Sequence, residues 1–179
     1  MSLFTATLVT AVLLLLLGII LIWNSPIVQK YANLWPRSQN VAIVFMTIGG
    51  LWFLNHVFNL EKADFGDYKH LLMVIFAAVG ILSFKFLPDF LAVRGLGIIL
   101  LLYANEVLKA AYMQEPVTRL WLVSFIYVML TVTLYVGASP YRMRDFNKWL
   151  FDSHNRPRLV GGFLSAYGLL LAGVAFNYS

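Results

Sequence analysis

The chain contains no cysteine, and only 8 of its 179 residues are acidic. The first absence excludes disulfides, thiolate metal sites and thiol nucleophiles, and leaves the compartment open. The second belongs to a wider shortage. Charged residues make up 12% of the chain, against about 25% in ordinary soluble domains. No G-x-S-x-G, His-x-x-x-His, Walker or Rossmann glycine pattern occurs. No stretch between apolar runs is long enough for a soluble domain, which needs about 50 residues or more. These shortages point to a non-catalytic chain with no metal site, and no residue pattern identifies a cofactor.

What the chain has in excess is apolar sequence, 61% of all residues, and it arrives in blocks. Six runs stand out: Leu3–Trp23, 41–60, 70–87, 93–112, 118–137 and 159–176. Each is close to the length of about 20 residues that crosses a hydrocarbon core of about 30 Å. Barrel strands would alternate apolar and polar residues, whereas stretches such as Leu13 to Leu17 and Ile98 to Leu102 do not. Helices satisfy their own backbone groups and are the remaining solution in hydrocarbon. The expected fold is an all-α integral membrane protein with six transmembrane helices arranged as three hairpins. The third run is the weakest, cut short by Lys85 and Pro88, so five spans or a re-entrant pair from runs three and four is the alternative. The first run resembles a signal peptide in place only; it lacks a basic n-region and its core is too long, so a retained helix is expected. The whole of 1–179 reads as one membrane domain, with repeats at 1–60, 68–112 and 117–179.

A pattern in the connections supports that repetition. Ser25-Pro26 is followed by Trp35 and Pro36-Arg37; Ser139-Pro140 is followed at the same distance by Trp149, then by Pro157-Arg158. Ser25 is a natural N-cap with Pro26 at the first helical position. Ile27, Val28, Tyr31, Leu34 and Trp35 then share one helical face. Tyr141, Phe146, Trp149 and Leu150 repeat the arrangement, with Arg142, Arg144, Asp145 and Lys148 opposite. Such short amphipathic helices are expected to lie in the headgroup layer. Trp23, Trp35, Trp52, Trp121 and Trp149 fall mostly near the ends of runs, where aromatic belts form.

Charge orients the runs. The connections after the first, third and fifth carry nine cations against Asp89, Asp145 and Asp152; the other side carries Lys62, Lys69, Lys109 and Arg119 against Glu61, Asp64, Asp67, Glu106 and Glu115. By the positive-inside rule the basic connections are cytoplasmic and both termini lie outside, with a bacterial-type inner membrane as the expected location. Lys30, Arg37, Arg142, Arg144, Lys148, Arg156 and Arg158 are candidates for binding anionic lipid headgroups, at about 1 kcal/mol per cation. Control of topology alone is the other reading of the same residues. Nucleic acid is not an expected partner, because the cations are split among three loops beside a membrane.

Glycines come after each basic connection: Gly49-Gly50, Gly95 with Gly97, and Gly161-Gly162. Since glycine permits close helix approach, the second, fourth and sixth helices are expected to be the inner ones.

One internal echo bears on chemistry. Asn55-His56 and Asn105-Glu106 each sit roughly 18–22 Å along their helices, with Lys109 one turn beyond Glu106. Ionisable groups within a span are costly and mark function by default. Asn55, His56, Asn105, Glu106 and Lys109 are therefore candidates for ligand binding or proton relay, since imidazole titrates near neutrality. A structural interhelical contact is the plainer reading. His56 alone is a weak candidate as an axial haem or chlorophyll ligand, and His70 and His154 read as solvated. The function expected from all this is an accessory or assembly subunit packing against other membrane subunits or its own copies, surrounded by lipid. The alternative is a small oligomeric transporter or channel that uses His56 and Glu106.

Overall fold

The computed structural model describes residues 1–61 and 65–178. Lys62 and Asp64, two of the charges counted above, lie outside the described residues, as does Ser179. Among the described residues, eight α-helices succeed one another: α1 (Leu3–Trp23), α2 (Pro26–Leu34), α3 (Gln39–Phe58), α4 (Lys69–Phe86), α5 (Leu91–Ala111), α6 (Arg119–Ala138), α7 (Tyr141–Phe151) and α8 (Asn155–Ala175). Single 3-10 turns cover Trp35–Arg37, Gly66–Tyr68 and Phe176–Tyr178. There is no strand among the described residues. Among the described residues, six helices (all but α2 and α7) are long and apolar enough to cross a membrane.

Local chemistry sets the boundaries. The Ser2 hydroxyl accepts from Thr5 N–H at 3.2 Å, that of Ser25 from Val28 at 3.4 Å, and that of Ser38 from Val41 at 3.4 Å. These side chains satisfy amide donors that no helical carbonyl reaches. Asn24 ends α1 in the left-handed conformation (φ 42°), a region asparagine tolerates better than most side chains. The third apolar run forms one uninterrupted 18-residue helix, α4. Pro88 stops it, and the turn at 87–90 leads into α5. The last long helix starts at Asn155, four residues earlier than its apolar run, and takes in a fully buried Pro157.

The chain forms two compact units: residues 1–33, 103–132 and 144–178, and residues 34–102 and 133–143. In the first, α1 and α8 pack along their lengths. The core joins Ala6, Ala11 and Leu14 of α1 to Val107 of α5, Leu122 and Ile126 of α6, and Leu171 of α8. Thr7 and Thr10 are also buried, and their hydroxyls donate to the carbonyls of Leu3 and Ala6 at 2.8 and 2.7 Å. In the second unit α3 packs on α4 and on the start of α5. Its core is much smaller: Ala42, Leu91 and Ala92, with Trp35, Val41, Met46 and Phe84 against them.

The glycines are placed differently from the sequence expectation. Gly49 does meet α5, where a Cβ would lie 3.4 Å from the Gly95 carbonyl oxygen. Gly161, however, finds its partner in the first helix: a Cβ there would lie 2.6 Å from the Gly18 carbonyl oxygen. Gly18 and Gly168 matter as much as any glycine singled out from the sequence, because both face backbone across the α1–α8 contact.

Candidate functional site

The candidate polar residues divide between the two units. Asn55 and His56 belong to the second. Near the end of α3, the Asn55 carbonyl accepts from the Asn59 side-chain amide at 2.8 Å. The half-buried His56 ring meets Trp52 edge-on, with centroids 6.5 Å apart. Asn105, Glu106 and Lys109 belong to the first unit. The Lys109 ammonium lies 4.0 Å from the half-buried Glu106 carboxylate, one turn away on α5. Asn105 and Lys109 border an open depression of about 310 Å³ with Leu108 and Tyr112. Helical spacing alone accounts for the Glu106–Lys109 approach. Among the described residues, no group of three or more histidine and carboxylate side chains is placed to hold a metal ion.

The basic candidates sort by what they touch. Arg144 pairs with Asp145 at 2.8 Å. Arg156 donates to the Trp149 carbonyl at 2.9 Å and to Asp152 at 3.2 Å, and lies 5.1 Å over the Trp149 ring. It therefore fastens the turn between α7 and α8. Arg142 stacks on Tyr135 and Tyr141, 5.5 Å from each ring centroid. Arg37 lies 4.9 Å over the Phe90 ring. Lys30, Lys148 and Arg158 are exposed. On α2 the apolar residues Ile27, Tyr31 and Leu34 are exposed too, whereas α7 buries Leu150 and Asn147.

The best-defined polar geometry is one that motif reasoning passed over. The two Ser-Pro segments are joined in the first unit: buried Asn147 of α7 donates its side-chain amide to the Ala32 carbonyl of α2. Beside it, buried Asn24 donates to the His154 carbonyl at 3.3 Å and lies 3.4 Å from the His154 ring Nδ1, while Gln29 donates to the Asn24 side-chain oxygen at 3.1 Å. His154 is exposed, as expected, and also meets Asn24 at this corner. A signal was present. Asn33 and Asn147 each stand two residues before the tryptophan of their repeat. A second unforeseen link joins Thr10 of α1 to Tyr103 of α5, hydroxyl to hydroxyl at 2.8 Å.

Chemically, these groups hold helices. The amides and hydroxyls are spent on carbonyls and on one another, and no nucleophile faces a base among these contacts. No protein-family model, curated protein or solved structure matches the chain.

Proposed function

We propose that the chain is an integral membrane protein of three helical hairpins, and that it serves as a non-catalytic accessory or assembly subunit. One observation carries this reading: α4, an apolar helix of 18 residues, has no buried residue. Leu71, Val74, Val79, Ile81 and Leu82 are all exposed along it. Apolar surface of that extent marks a membrane or protein contact. Lipid covers it in part, and a partner's helices cover the rest. In this reading the basic connections face the cytoplasm and the Ser-Pro helices lie in the headgroup layer.

Size determination in mild detergent, combined with mass spectrometry of what co-purifies, tests the proposal. A stoichiometric membrane partner or a homo-oligomer is expected. A lone monomer under conditions that preserve other membrane complexes would defeat the reading. Glu106, half-buried within α5 beside Lys109, favours transport as a second reading. Converting His56 and Glu106 together to Gln separates the two. Assembly survives the change if the chain is a scaffold, and flux disappears if it is a transporter.

A further inference from the structure

A cavity of about 470 Å³ lies in the second unit between α3 and α4, with Ile98 of α5 on its wall. That is within the range of about 300–1,000 Å³ typical of small-molecule sites. Its lining is apolar apart from Thr47 and Ser83, and the Ser83 hydroxyl already donates to the Val79 carbonyl at 2.7 Å. Gly50 on α3 and Gly80 on α4 keep it open, for a Cβ on either would meet nothing within 4 Å. The walls run over residues 46–54 and 76–84, about 12 Å at 1.5 Å per residue. One leaflet of hydrocarbon is about 15 Å deep, half of a bilayer core. The edge-to-face pair Phe53–Phe76, centroids 5.0 Å apart, stands at one end.

Three cations follow closely in sequence on residues at the other end. Met46 and Phe84, both lining residues, pack against the cluster of Ala42, Leu91 and Ala92, as Trp35 does. Arg37, Lys85 and Arg94 each come one or two residues after a member of that group. None of the three forms an ion pair among the described residues. Arg37 and Lys85 are exposed, and Asp89 of the neighbouring turn is the nearby carboxylate in sequence. Arg37 lies over the Phe90 ring and Lys85 5.8 Å over the Phe86 ring, beside this end in the sequence. An apolar slot about one leaflet deep, with cations following its end residues in the chain, complements an acyl chain that ends in a phosphate. An apolar helix from a second protein would bring no anion to those cations.

We propose that the α3–α4 groove binds one acyl chain of an anionic glycerophospholipid, whose phosphate is held by Lys85, Arg37 and Arg94. The inference rests on the bilayer part of the proposed function and not on the accessory role. Native mass spectrometry of detergent-solubilised protein, given dioleoyl phosphatidylglycerol or dioleoyl phosphatidylcholine, tests it. One phosphatidylglycerol retained per chain is expected, in preference to phosphatidylcholine. Gly80→Leu and Gly50→Leu fill the slot and lower retention at least tenfold. Lys85→Gln lowers the preference for phosphatidylglycerol about fivefold, the factor for one cation at an anionic surface. Equal retention of the two lipids, or retention unchanged in both Leu variants, overturns the proposal. So does loss of folding in both Leu variants, since it would mean that the walls already meet. A Leu variant that turns an oligomer into a monomer without losing lipid assigns the groove to a protein helix instead, and also overturns it. Extraction with alkaline carbonate is the control: a chain washed off membranes overturns the bilayer reading itself, whereas one that stays but retains no lipid overturns the lipid site alone.

Discussion

The α1–α8 pair and the α3–α4 pair use helices of similar length and composition and reach opposite results. Thr7, Ala11, Leu14 and Gly18 fall on one face of α1; Gly161, Ser165 and Gly168 fall on one face of α8. The spacing of three and four residues keeps small side chains in register, so backbones touch: a Cβ at Gly168 would lie 3.0 Å from the Ala11 carbonyl oxygen. On α3 and α4 the small residues are present but do not face one another. Gly49 points at α5, while Gly50 and Gly80 point into the open groove. Glycine count is therefore a poor guide to closeness. What matters is whether two small faces meet, because inside a bilayer helices associate by dispersion and hydrogen bonds rather than by escape from water. Some of the hydrogen bonds show the same contrast. In the first unit Asn147, Asn24 and Thr10 reach across from one segment to another. In the second, Ser83 bonds within α4, and Asn59 returns to the end of α3.

The largest expected effect comes from forcing apart the closed pair. Gly161→Leu places a branched side chain against the Gly18 carbonyl, and overpacking of this kind costs about 3 kcal/mol or more. For a chain of this length that lowers Tm by roughly 6–12 °C in a detergent thermal-shift assay. Gly162→Leu, one residue on, meets nothing within 4 Å and is expected to leave Tm unchanged. Equal losses in the two variants would break the contrast. Next in size is Asn147→Ala, which orphans the Ala32 carbonyl at a cost of about 1–3 kcal/mol. Asn33→Ala, its exposed counterpart in the other repeat, is expected to change little in the same assay. Thr10→Val removes the bond to Tyr103 and is worth about 0.6 kcal/mol, read from a double-mutant cycle with Tyr103→Phe. Zero coupling in that cycle would show that the two hydroxyls are held by their helices alone. Smallest is Asp152→Asn: its pair with Arg156 is exposed, so the loss stays within about 0.2–1 kcal/mol and shrinks with added salt. A loss beyond that range would make the α7–α8 turn an anchor of the first unit.

Much of the secondary structure was legible in the sequence. The six long helices lie within a few residues of the six apolar runs, and the Ser-Pro segments form the short helices α2 and α7. The third run is a full-length helix even though Lys85 and Pro88 shorten its apolar stretch. Pro88 lies beyond the last helical residue, Phe86, so its missing N–H costs the helix no bond, and Lys85 is exposed in the last turn. Partners were less legible. Gly161 looked like part of an inner trio and instead meets Gly18, since nothing in a single apolar helix encodes which other helix its small face will find. The Asn147 and Asn24 corner was hidden for a different reason: an asparagine amide acts through one distant carbonyl, and that carbonyl belongs to a residue, Ala32, whose identity is irrelevant to the bond.

Composition and run length by themselves determined an all-helical chain with six helices long and apolar enough to cross a membrane, because both the hydrocarbon thickness and the need to satisfy every backbone amide act on local sequence. Tertiary structure alone decided which glycines close a contact and which hold a groove open. A missing side chain has no direction of its own, and only the neighbour opposite gives it one.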